Sequence, residues 1–175
     1  MEVKTMDVGL LLLHGVVGLI MAGHGAQKLF GWFEGHGLPA TAEFVAKLGW
    51  RPGRTYALLL GAAELFGGLA LAVGLATPLA AAAIIAVLAN AAWVVHRPHG
   101  LWNSAIGYEY PLTLIAAATS LAFTGPGRYS LDHVFGWNLS GVDWGVAALV
   151  LGGLGWLFGT VARHVQQGHP ANQPA

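Results

Sequence analysis

His24 and Lys28 stand four residues apart, with Gln27 beside them, at the end of a long apolar run. On a helix that spacing puts an imidazole and an ammonium on one face. Glu64 interrupts a second apolar run and Asn90 a third, which continues into His96, Arg97 and His99; Glu109 stands directly before Tyr110-Pro111 and a fourth run. Imidazole and carboxylate groups move protons, and an ammonium stabilises negative charge that develops on a neighbouring oxygen. Inside a bilayer each ionisable group costs about 2.5–3.5 kcal/mol, so it normally faces a partner or a water-filled cavity. The informative question is whether these groups converge.

The elements that carry them are membrane helices. Hydrophobic residues make up 55% of the 175 and charged residues only 9%, and the mean hydropathy is +0.61, well outside the range of a soluble domain. The 26 glycines fit a bundle whose helix backbones approach closely. Cysteine is absent, which excludes disulfides, thiol relays and thiolate-bound iron–sulfur clusters. The formal net charge is zero with no basic block, so nothing points to nucleic acid as a partner. The first apolar run is too long for a signal peptide and lacks a small-residue cleavage site, so it reads as a membrane span.

A span needs roughly 20 mostly apolar residues. The sequence predicts an all-α, polytopic membrane bundle in a single domain over residues 1–163, with helices at about 8–28, 56–73, 78–95, 110–123 and 142–161. The run at 110–123 is short for a full crossing, so the residues alone give four or five spans. Only Gly74-Leu75-Ala76-Thr77 separates the second run from the third, which demands a tight turn between antiparallel helices. In the last run Gly155 and Gly159 make a close-packing pair. Residues 39–48 predict a short amphipathic helix at the interface, with Phe44, Val45 and Leu48 on one face, Gly49 ending it, and Trp32 and Trp50 bracketing it at headgroup depth. The polar segment 164–175 is expected to be disordered. With five spans, Lys28, Lys47, Arg51, Arg54, Arg97 and Arg163 fall on one side and Lys4 and Arg128 on the other. The positive-inside rule then places the first loop and the C-terminus in the cytoplasm.

On this layout every strongly polar membrane residue except His14 falls in one leaflet. Glu64 lies roughly 13 Å below the surface at 1.5 Å per residue. The arrangement predicts one chamber with Glu64 as its deepest acid, His24 and Lys28 as its partners, and Gln27, Asn90 and Glu109 around it. Structural readings stand beside this one. Lys28–Glu64 as an ion pair fixing helix register, Lys28 as a snorkelling cation, Asn90 as an interhelical hydrogen bond and Glu109 as a first-turn acid are each open. His14 reads as a packed, hydrogen-bonded histidine. His24 with His96 is the one pair that approaches a bis-histidine haem site, and the ligand count is too low for a closed metal centre, so no tightly bound metal is expected.

Four motifs in order carry a family resemblance: His24-Gly25-Ala26-Gln27-Lys28-Leu29-Phe30-Gly31, Glu64-Leu65-Phe66-Gly67-Gly68, Gly107-Tyr108-Glu109-Tyr110-Pro111, and Gly125-Pro126-Gly127-Arg128-Tyr129-Ser130-Leu131-Asp132. Over about residues 7–132 the chain resembles the DoxX family of bacterial membrane proteins. The resemblance implies a four-helix core in the bacterial inner membrane and membrane-associated redox or detoxification chemistry, often as a subunit beside soluble redox partner proteins. The fifth helix departs from shorter members. Without cysteine, a redox role must rest on a bound cofactor, a quinone or a partner. The leading expectation is therefore a quinone-interacting oxidoreductase or oxidoreductase subunit embedded in the lipid bilayer. In it His24, Lys28 and Glu64 act on the ring while Asn90, Glu109 and Gln27 complete the polar wall; a homo-oligomer is compatible. A non-catalytic scaffold that anchors soluble redox enzymes is the alternative, followed by a small transporter, which the absence of inverted repeats disfavours.

Overall fold

The computed structural model describes residues 2–167 and is all-helical over them. Seven α-helices follow in order: α1 Glu2–Phe30, α2 Gly37–Lys47, α3 Gly53–Ala72, α4 Thr77–Ala91, α5 Glu109–Thr124, α6 Leu131–Val134 and α7 Val142–Gln167. A π-helical turn, Ala92–His96, and a 3-10 turn, Arg97–His99, prolong α4. Four helical stretches are long and apolar enough to cross a membrane: Thr5–Phe30, Gly53–Ala72, Thr77–His99 and Val142–Gln167. At 16 residues α5 measures about 24 Å, short of a full hydrocarbon core. It nonetheless lies in the bundle against α1, α4 and α7.

The five long helices run antiparallel between two ends, one marked by α2 and the other by α6. Exposed Phe30, Trp32, Phe33, Trp93 and Trp102 gather toward the α2 end, and exposed Tyr129, Phe135, Trp137 and Trp144 toward the α6 end. Two aromatic girdles of this kind mark the two water–lipid boundaries of a membrane protein. Between them large apolar side chains such as Leu12, Leu19, Phe66, Leu79, Leu154 and Phe158 face outward, as they must where the solvent is lipid.

With lipid outside, close packing rather than hydrophobic exclusion holds the helices together. Gly18 and Gly25 lie two turns apart on α1 and face Gly68 and Gly61 on α3. A Cβ on Gly18 would run into the backbone of Ala72 and Gly68, and one on Gly25 into Leu65 and Gly61. The expected Gly155–Gly159 contact is present: these residues seat the side chains of Ala86 and Asn90 from α4. A core of Met21, Leu71, Ala81, Ile84, Leu88, Leu114, Ala118 and Leu121 fills the middle.

The turn between α3 and α4 is as tight as the spacing requires, with Gly74 (φ 61°) and Ala76 (φ 44°) both left-handed. Having no side-chain cap of its own, α4 takes one from Asp132. Its Oδ1 accepts from Ala76 N at 2.6 Å, and its Oδ2 accepts from Thr77 N at 3.0 Å and Thr77 Oγ1 at 2.7 Å. The Gly125–Asp132 motif therefore closes the bundle. His14 is fully buried, with Nδ1 bonded to Ala72 O at 3.0 Å, which is the packed histidine expected.

Three expectations need correction. The helices extend beyond the apolar runs at most ends, because backbone hydrogen bonding continues after hydropathy falls. Residues 164–167, expected to be disordered, form the last turn of α7, where Gln166 Nε2 donates to Tyr56 Oη at 3.0 Å; residues 168–175 lie outside the described residues. Trp50 is buried rather than at headgroup depth, and its indole N–H donates to Gly159 O at 2.7 Å.

Candidate functional site

Beneath the α2 end lies a cavity of about 320 Å³. Its walls are mostly apolar: Phe44 and Val45 from α2, Leu48 at its C-terminal cap, Leu59 and Leu60 from α3, Val87 from α4, and Phe158 from α7. The amphipathic face expected on residues 39–48 is thus the cavity roof. Trp50 contributes another wall, fixed by its bond to Gly159 O, and Arg163 Nε donates to Leu48 O at 2.6 Å, so α7 is tied to the roof.

Four polar groups among the lining residues matter. Lys28 Nζ donates to Glu64 Oε2 at 2.6 Å, and the carboxylate is buried while the lysine retains about a quarter of its side-chain exposure. Glu64 reaches α1 because Gly25 and Gly61 let the two backbones approach at that level. The ammonium has three hydrogens, and the carboxylate takes one of them. The remaining donors stand beside the carboxylate in an otherwise oily wall. Asn90 faces the pair from α4 across the cavity lining. Its Nδ2 donates to Ala86 O at 2.9 Å, while its buried Oδ1 has no donor among the described residues. His96, at the end of the π-helical turn, completes the set.

The structure divides the predicted site. Glu64, Lys28 and Asn90 come together, whereas His24, Gln27 and Glu109 do not line the cavity. Gln27 Nε2 donates to Phe33 O at 3.0 Å, which turns its Oε1 toward His24 Nδ1 at 3.2 Å. That fixes the imidazole proton on Nδ1 and leaves Nε2 to accept from Tyr110 Oη at 3.4 Å. His24 thus belongs to an α1–α5 contact with Tyr110, the rings meeting edge to face at 6.1 Å. An i,i+4 relation aligns two Cα positions but leaves about 40° between the side chains, enough to place Lys28 toward α3 and His24 toward α5. Glu109 Oε2 accepts from Asn103 N at 2.8 Å and stitches the loop before α5. Trp50, Tyr56, Phe158 and His96 also line the cavity, without having been expected there from the sequence. Only for His96 was there a signal, its position one turn and a half beyond Asn90.

The DoxX family model matches residues 9–97, just over half of the chain. The chain belongs to the DoxX family. The matched segment of this DoxX protein runs from α1 through the π-helical turn and contains Lys28, Glu64, Asn90 and His96. The wall from α7, and the Tyr110 and Asp132 motifs, lie outside it. No curated protein and no solved structure matches the chain. Membership and the four apolar crossing helices together make it a multi-pass membrane protein of this family.

Proposed function

We propose that this DoxX protein is a quinone-interacting membrane oxidoreductase, or the membrane subunit of one, in the bacterial inner membrane. The observation that carries the reading is the Lys28–Glu64 pair set in the wall of an apolar cavity. A flat ring fits such walls, and its oxygen needs one strong donor, which Lys28 retains after pairing with Glu64. Bound there, a quinone-class ring would supply two-electron, two-proton redox chemistry that the side chains lack. Lys28 would bind the ring oxygen, Glu64 would hold a proton beside it, Phe44, Leu48 and Phe158 would exclude water, and Asn90 would shape the α4 side. His24, Gln27 and Glu109 support the loops around the site and do not touch the ring. Exposed Lys47, Arg51, Arg54, Arg97 and His99 at this end offer a charged surface to a soluble redox partner protein.

Binding of duroquinone to the full chain in lipid nanodiscs tests the reading. Lys28→Ala and Glu64→Gln should each weaken binding at least about tenfold, the loss expected for a charge-assisted hydrogen bond. Unchanged affinity in both variants would refute it.

A further inference from the structure

The polar groups of the cavity are distributed unevenly between its two sides. On the α1–α3 side Lys28 retains free N–H donors beside Glu64. On the α4 side every side-chain donor is engaged. Asn90 Nδ2 donates to Ala86 O at 2.9 Å and reaches Gly155 O at 3.5 Å. The Ala86 carbonyl fixes the amide, since a flipped carboxamide would set oxygen against oxygen. His96 Nδ1 lies 2.8 Å from Ile106 O. A carbonyl can only accept, so Nδ1 carries the hydrogen, and in the neutral ring Nε2 is a bare acceptor. The hydrogen bond of the ring to a described residue is made through Nδ1, which leaves Nε2 open to a ligand or solvent.

The backbone is arranged to give this result. Pro98 has no N–H to donate to the carbonyl four residues back, and the helix widens into a π turn in which Arg97 N bonds to Ala92 O. Trp93 stays packed edge to face on Trp156 at 5.7 Å, with the Arg97 guanidinium 4.0 Å above its ring. The turn therefore reorients His96 without releasing α4 from α7, and such π turns recur at functional sites. Across from it Ile106 holds φ at 64°, a costly conformation for a β-branched residue, and its carbonyl meets His96 Nδ1. Bonds from Ile106 N to Asn103 O and from Asn103 N to Glu109 Oε2 secure that strained residue.

Resting on the quinone-class reading above, we infer that the cavity selects the reduced, hydroxyl-bearing form of its ring, with His96 Nε2 as the group that reads the hydroxyl. A hydroquinone places one oxygen at Lys28 and donates its other O–H to Nε2. A quinone satisfies Lys28 equally well but presents its second carbonyl to an α4 wall whose side-chain donors are all engaged, so that carbonyl and Nε2 do not pair. The selectivity belongs to binding and precedes any electron transfer.

Duroquinol and duroquinone, titrated anaerobically into the full chain in nanodiscs by calorimetry at neutral pH, distinguish the outcomes. The wild type should bind duroquinol about tenfold more tightly than duroquinone. His96→Leu should bring the two affinities to within about twofold by weakening duroquinol alone. His96→Gln, whose amide N–H can donate, should strengthen duroquinone binding over the wild type. Equal affinities in the wild type, a preference for duroquinone, or a preference that survives in His96→Leu would each overturn the inference while leaving the cavity reading intact. Failure of both rings to bind the wild type would instead remove the quinone-class reading on which it rests.

Discussion

Lys28 on α1 and Glu64 on α3 meet at 2.6 Å, and the pair stands where Gly25 and Gly61 bring the two helix backbones together. Close approach and ion pair depend on one another, since a lysine on a more distant helix could not reach a buried carboxylate. Lys28→Met leaves Glu64 unpaired and should cost about 3 kcal/mol, whereas Lys28→Met with Glu64→Gln should recover most of that loss. Thermal unfolding in detergent checks the cycle. If the double variant unfolds as early as Lys28→Met, the cost does not come from a stranded charge.

The second ion pair of the described residues should behave differently. Glu43 and Lys47 meet at 2.7 Å on the exposed face of α2, and the hydrogen bond from Lys47 holds the Glu43 carboxyl below the usual range. Such a shift favours the fold above the unfolded pKa and is lost as pH falls through the folded one. Because the pair is fully solvated, Lys47→Ala should leave the neutral-pH melting midpoint unchanged. A clear drop would mean that Lys47 contacts something further.

Glycine contacts separate packing from propensity. Gly18→Ala and Gly25→Ala place a methyl group inside the α3 backbone and should cost about 1–3 kcal/mol each. Gly15→Ala and Gly153→Ala, which meet nothing, should be neutral or slightly stabilising. Equal effects across all four variants would contradict the packing described for α1 and α3.

Asp132 supplies three hydrogen bonds to the start of α4 from a site 55 residues away in sequence. Asp132→Ala should cost about 2–3 kcal/mol and expose the Gly74–Thr77 turn to limited proteolysis. A turn that stays resistant would show that Asp132 is dispensable as a cap.

The cysteine-free chain allows clean single-cysteine labelling. Lys47→Cys and His164→Cys, both exposed at the α2 end, should react from the same side of sealed vesicles and Tyr129→Cys from the other. The positive-inside rule predicts that the side labelled at Lys47→Cys is the cytoplasmic one. Labelling of Lys47→Cys and Tyr129→Cys from one side would refute the antiparallel five-helix arrangement.

The site was legible in proportion to how directly each contact follows from helix periodicity and depth. Glu64, Lys28 and Asn90 were recoverable because a buried carboxylate needs a cation at its own level and only α1 offered one. His24 was misassigned to the chamber because spacing gives a face but not which neighbour lies against it. Glu109 was misplaced because its partner, Asn103 N, belongs to a loop whose course no periodicity specifies. Trp50 looked interfacial because a tryptophan at a predicted membrane boundary usually is; α7 reaching back to that boundary made it a buried wall.

By itself the sequence determined that this chain is a membrane helical bundle, where its apolar helices run, which turn is tight, and that Lys28, Glu64 and Asn90 lie toward one boundary; Asp7, buried in α1 at the other end, stands outside that pattern. These follow from hydropathy, length and local backbone chemistry, all of which act over a few neighbouring residues. Only the tertiary structure decided which polar groups share a cavity, that α7 supplies one of its walls, that Asp132 caps α4 and that Ile106 O anchors His96 through Nδ1. Those facts depend on helix rotation and on which helices are neighbours. In a bilayer both are set by close contacts of small residues such as Gly25, Gly61 and Gly159, because lipid exposes no apolar face to a penalty that sequence could reveal.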